Sequence, residues 1–227
     1  MVKVVLAISL CSSVVLVGAE TAHARLADAT KVFNEIMAIP NKSISRELLD
    51  KAHCIVIVPG MSRAAFGVGV EFACGYAVCR HNRTNWGGPA GIRVENGGVG
   101  FQIGASNTDI FILVINDHGM RCLLEDKFTL GIEATVAAGP VGRQTSLSTD
   151  SQVSAEVLSW SRSKGLFAGI VLHGATLRPD TAANQELYGS QLTNKEILMG
   201  GRSAPAGVMG LITAALNRYS PRQETKK

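Results

Sequence analysis

The chain has 227 residues, a formal net charge of +4, 46% hydrophobic residues and 18% charged residues. That is enough apolar material for one domain with a sizeable core, and too much for a disordered chain. The basic excess is mild, and no long basic run is interleaved with aromatics, so a nucleic-acid partner is not expected.

Residues 1–24 read as a secretory signal peptide. Lys3 is a short positive region, residues 4–17 are apolar, and Ala22-His23-Ala24 fits a small-x-small cleavage motif. The apolar run is short for a membrane span. Cleavage after Ala24 removes Lys3 and Glu20 and leaves the net charge unchanged. The expected location is the periplasm or the extracellular space. Cys54, Cys74, Cys79 and Cys122 remain. Export permits disulfides, but a chain of this size does not need them. Cys74 and Cys79 point to opposite faces of a continuous strand, so a bridge between them is not expected and buried thiols are.

Residues 25–39 carry Leu26, Ala29, Val32, Phe33, Ile36 and Met37 at helical spacing, and Pro40-Asn41 ends the helix. A short helix over 45–52 follows, with Ser43 or Ser45 as its cap. Residues 54–58 are a continuous apolar run, the pattern of a strand buried on both faces. Residues 66–80 alternate strictly: Phe72, Cys74, Tyr76 and Val78 share one face, while Ala73, Gly75, Ala77 and Cys79 share the other. The same device recurs over 98–104 and 128–137. Residues 109–116 predict a central strand, and 119–125 a short helix. Residues 139–150 read as a loop. Residues 153–161 and 166–173 predict a hairpin whose turn holds Arg162, Lys164 and Gly165. Helices are expected over 180–188, 194–199 (capped by Thr193) and 205–219, then a basic tail over 220–227.

Strand faces built of glycine and alanine admit a close neighbour or a sharp bend. The fold class is therefore α+β: a strongly curved, glycine-rich antiparallel sheet or partly closed barrel, with N- and C-terminal helices, in one domain over 25–219.

The enzyme motifs tested are weak. The glycines of 98–104 alternate along a strand instead of opening a helix, so they do not form a dinucleotide loop. Cys74, Cys79 and His81, with His53 and Cys54, match no zinc spacing, and no cofactor is expected. Glu71 and Glu133 sit on small-residue strand faces, and two such carboxylates offer an acid–base pair for an envelope hydrolase or a carbohydrate-binding protein. Arg162 and Lys164 form a cationic turn that can present donors to a phosphate, with Arg143 in a comparable loop. On composition alone, a solvated polar turn is an equal reading.

Four segments resemble one family. They are Lys51-Ala52-His53-Cys54-Ile55-Val56-Ile57-Val58-Pro59 running into Phe66-Gly67-Val68-Gly69; Gly98-Val99-Gly100-Phe101-Gln102-Ile103-Gly104 followed by Asp109; Thr129-Leu130-Gly131 through Arg143; and Ser161-Arg162-Ser163-Lys164-Gly165-Leu166-Phe167-Ala168-Gly169, with Asn184, Tyr188 and Gly189 downstream. In order and spacing they resemble the SYLF domain family, the lipid-binding and actin-regulating family, over roughly residues 52–200. The resemblance implies a non-enzymatic domain that binds anionic phospholipid or phosphoinositide headgroups, with Arg143, Arg162 and Lys164 as the contacts; the helix over 25–39 is either an interfacial element or, on an at least equal reading, docked on the glycine-rich sheet face. Actin is not expected to be a partner of an exported form.

Overall fold

The computed structural model describes residues 20–40, 43–60, 63–65, 71–81, 85–95, 108–141, 150–200 and 207–221. In chain order these form α1 (Ala22–Met37), α2 (Arg46–Lys51), β1 (Cys54–Val58), β2 (Arg63–Ala65), β3 (Glu71–His81), β4 (Asn85–Trp86), β5 (Ala90–Glu95), β6 (Thr108–Val114) and α3 (Asp117–Leu123). There follow β7 (Phe128–Thr129), β8 (Val136–Ala138), α4 (Asp150–Val153), β9 (Val157–Ser163), β10 (Leu166–Gly169), β11 (Thr176–Pro179), α5 (Thr181–Tyr188), α6 (Asn194–Met199) and α7 (Val208–Tyr219).

The strands make one strongly curled, half-barrel sheet in the order β10-β9-β6-β1-β3-β5-β11-β7. β2 and β4 pair with β3, and β8 lies parallel to β9 while the other pairings are antiparallel. The expected fold class is the observed one.

Side-chain alternation divides the core between the two sheet faces. Ile55, Ile57, Tyr76, Val78, Phe111, Leu113 and Trp160 pack under α1, α2 and α7. Cys54, Val56, Val58, Ala73, Ala77, Cys79, Ile110 and Ile112 pack on the other face against Leu123, Phe128, Leu177, Ile197 and Leu198. β1 is buried on both sides, which is why its sequence is apolar without a break.

α1 begins three residues before the expected start. Thr21 caps it by accepting from the Ala24 N–H at 3.1 Å. Ala22 is fully buried; its N–H donates to Glu186 at 2.9 Å, and its carbonyl accepts from the Tyr76 hydroxyl at 2.6 Å. Burial pushes the Tyr76 phenol up to about 12. Cleavage after Ala24 would remove that cap and that anchor. The apolar stripe Leu26, Ala29, Phe33 and Ile36 is docked on the sheet, so α1 does not offer it to a membrane.

Two expectations are corrected. Residues 128–137 are not one strand: Gly131, at φ +79, turns the chain between β7 and β8, and Ile132 is exposed. Cys54 and Cys79 form a disulfide in place of two buried thiols. They face each other across β1 and β3, one step in from His53 and Arg80, whose hydrogen-bonded pairing is marked by the Arg80 N–H to His53 carbonyl bond of 2.8 Å. Such a non-hydrogen-bonded pair brings the Cα atoms close, here 4.0 Å, and that lets the sulfurs meet. The strand expected over 98–104 lies outside the described residues.

Candidate functional site

The β9–β10 hairpin turns through two residues, Lys164 at φ +49 and Gly165 at φ +78. Two left-handed residues in a two-residue loop are the geometry whose twist matches the flanking strands. Glycine adopts it freely, whereas lysine does so at a cost of about 1 kcal/mol. Lys164, Gly165 and Leu166 are exposed, Leu166 to 72%.

Arg162 is not in the turn, contrary to expectation. It lies within β9, paired directly with Asp109 of β6. Its Nε donates to Asp109 Oδ2 at 2.6 Å, and its Nη1 donates to Glu35 Oε2 of α1 at 2.7 Å. Asp109 Oδ1 also accepts from the Gly60 N–H at 2.7 Å, where the chain leaves β1. Burial pulls the Arg162 guanidinium down, but its hydrogen bonds to Glu35 and Asp109 outweigh it and hold the group above the ordinary arginine value. Arg162 therefore ties the hairpin to α1 and to the end of β1.

Beside this tie lies a pocket of about 490 Å³. α1 contributes Asp28, Lys31, Val32 and Glu35, which at spacings of three and four share one helix face. Asp109, Arg162 and Lys164 line the sheet side. Two of the three expected lipid contacts, Arg162 and Lys164, thus meet at one site. Arg143 lies outside the described residues.

The carboxylate pair of Glu71 and Glu133 loses its premise. Glu133 sits in the turn after β7 and accepts from the Thr129 N–H, so it lies on no strand face. β3, which holds Glu71, is separated from β7 by β5 and β11, and the Glu71 side chain is outside the described set. Among the described residues no group of three His, Cys, Asp or Glu is placed to hold a metal. No helix there is long and apolar enough to cross a membrane.

Sequence reading missed the partners of the cations. Asp109 carried a signal, being the one acid in an otherwise apolar or hydroxylic strand, Thr108–Val114. Glu35, Asp28 and Lys31 carried none, since exposed helix charges look alike.

Residues 95–219 match the Ysc84 family, described as "Las17-binding protein actin regulator". This span is more than half of the chain. The chain belongs to the Ysc84/SYLF family. Related Ysc84/SYLF proteins include SH3 domain-containing YSC84-like protein 1 of Rattus norvegicus, 29% identical over 204 residues, covering 87% of this chain and 59% of that protein. The Homo sapiens protein of the same name is 30% identical over 184 residues, covering 78% and 54%. Protein YSC84 of Saccharomyces cerevisiae is 29% identical over 161 residues, covering 70% and 34%. The chain thus spans between a third and three fifths of the length of these Ysc84/SYLF relatives.

Several residues of the SYLF-like segments are structural. Asn184 is fully buried, accepts from the Gly91 N–H at 2.7 Å and donates to Asn194 Oδ1 at 2.7 Å, pinning α5 and α6 to β5. Gly169 and Gly139 meet where β8 and β10 share the edge of β9; a Cβ on Gly169 would overlap the Gly139 carbonyl oxygen.

Proposed function

We propose that this domain is a non-enzymatic binder of anionic phospholipid surfaces, exported from the cell, and that the β9–β10 hairpin tip makes the contact. The observation that carries this reading is Lys164: an exposed cation held in a left-handed conformation, next to an exposed Leu166. Among the described residues Lys164 has no ion-pair or hydrogen-bond partner. A cation beside an apolar side chain suits the boundary between headgroups and acyl chains. A conformation costly for lysine, retained at a tip, points to a demand on its side chain. Arg162 serves this reading by fixing the hairpin on α1, and Arg143 is a further headgroup contact.

The buried Cys54–Cys79 bridge supports the export part, since such bridges persist in oxidising compartments. Because Thr21 and Ala22 are built into α1, the signal cut in this reading falls before them, and Val17-Gly18-Ala19 supplies the small residue there. Actin, named in the family description, is not a partner of an exported chain.

The test is sedimentation of the mature chain, from Glu20 onward, with vesicles of phosphatidylcholine alone or mixed with phosphatidylglycerol. Binding is expected to rise with phosphatidylglycerol and fall with added salt. Lys164→Gln is expected to weaken it about fivefold, the worth of one lysine at an anionic surface. Binding that ignores phosphatidylglycerol and is unchanged in Lys164→Gln and Leu166→Asn would overturn the reading.

A further inference from the structure

We infer that the pocket between α1 and the hairpin is a binding site for a small zwitterion, a phosphate ester carrying a primary ammonium. This deepens the membrane reading and rests on it for Lys164; Asp28 and Lys31 of α1 are added to name a ligand for the cavity beneath the tip.

The inference comes from the state of the charges that line the pocket. Arg162 is matched by Asp109 and Glu35 at 2.6 and 2.7 Å. Glu20 has interactions of its own. Three charges are left: Asp28, Lys31 and Lys164. Among the described residues none of these three has a hydrogen-bond or ion-pair partner, although Asp28 and Lys31 stand one helical turn apart.

A cavity of about 490 Å³ therefore presents two uncommitted ammonium groups and one uncommitted carboxylate. A bare phosphate would satisfy Lys31 and Lys164 but would lie against Asp28, with the Glu35 carboxylate close by. A bare amine would satisfy Asp28 and be repelled by the lysines. A ligand with both signs meets each group with its complement, and the mismatch rejects the halves. Acids outnumber bases in the whole lining by four to three, but the two lysines without partners, Lys31 and Lys164, favour a phosphate over a singly charged carboxylate as the anionic end. A primary ammonium, which donates hydrogen bonds to Asp28, is favoured over a quaternary one, which has none to give.

Phosphoethanolamine has this chemistry, either free or as a phospholipid headgroup. The experiment titrates the mature chain, from Glu20 onward, with O-phosphoethanolamine, inorganic phosphate, ethanolamine and phosphocholine, read by amide NMR shifts of α1 and the hairpin. Phosphoethanolamine is expected to bind at least about tenfold more tightly than phosphate, ethanolamine or phosphocholine, since it alone forms both sets of charge-assisted bonds. Asp28→Asn is expected to abolish the preference over phosphate, and Lys31→Gln to weaken phosphate and phosphoethanolamine alike.

A second arm compares phosphatidylglycerol vesicles with and without phosphatidylethanolamine. A gain from phosphatidylethanolamine that is lost in Asp28→Asn assigns the site to a lipid headgroup. No gain, with the soluble preference intact, assigns it to a free phosphate ester. The inference is overturned if phosphate binds as tightly as phosphoethanolamine, if no probe shifts pocket residues, or if Asp28→Asn keeps the preference. None of these depends on the phosphatidylglycerol response, so the pocket and the membrane tip can fail separately.

Discussion

At the start of β1, Arg80 of the neighbouring strand is sealed in; at the end of β1, Arg162 borders an open cavity. The Arg80 guanidinium stacks 4.2 Å from the Trp86 ring centroid and donates to the Ser220 hydroxyl and to the Leu49 and Ser220 carbonyls. Ser220 in turn donates to Asp50. Only 3% of the Arg80 side chain is exposed, against 17% for Arg162. Burial lowers the Arg80 pKa, and Asp50, 4.0 Å away, only partly offsets it. Arg162 is shifted the other way, because two carboxylates reach it directly. The difference teaches where to look for function: Arg80 has a ring, a hydroxyl and carbonyls closing over it, whereas the partners of Arg162 leave space and spare charges beside them.

The largest effect that would test this contrast is at Arg80. Arg80→Ala removes the cation stacked on Trp86 and leaves the buried Ser220 and Leu49 acceptors unpaired, and is expected to cost about 4 kcal/mol of stability. Arg80→Lys should recover little of it, because an ammonium does not stack or fork as a guanidinium does. Urea unfolding measures both, and a loss below that of Arg162→Ala would break the comparison.

Next comes the disulfide, which staples the Arg80 end and not the Arg162 end. Replacing Cys54 and Cys79 by alanine releases a sequence separation of 25 residues. The expected loss is about 3 kcal/mol by loop-closure entropy, read as a lower urea midpoint in the oxidised protein. Equal midpoints for parent and variant would show that the staple contributes nothing.

The smallest effects are expected at the open end. Arg162→Ala should cost about 2 kcal/mol, since Asp109 is left buried beside the Gly60 N–H. Glu35→Gln should cost less than about 1 kcal/mol, because its carboxylate is 44% exposed. If Glu35→Gln were as damaging as Arg80→Ala, the two ends would be alike, and the pocket would be a structural joint.

Much of the fold was legible. The alternation over 71–80 became the division of two cores, and the unbroken apolar run of 54–58 became a strand buried on both faces. The helix caps Ser45 and Thr193 were legible because capping is local. What was hidden depends on partners distant in sequence. The Cys54–Cys79 bridge needed the β1–β3 register, and the Arg162–Asp109–Glu35 tie spans more than a hundred residues. The break at Gly131 was obscured because alternating small residues look like a strand even where one of them turns the chain.

α1 and α7 pack on each other across nearly the whole chain, with Phe33 edge-on to Tyr219 at 5.8 Å and Ile212 and Leu216 in the same core. The consequence is one of timing. During synthesis the apolar face of α1 emerges before any strand of the sheet, yet its cover, α7, follows all of them. Closure of this core therefore waits until α7 has been made, and a chain cut before α7 leaves the first helix sticky for as long as it exists.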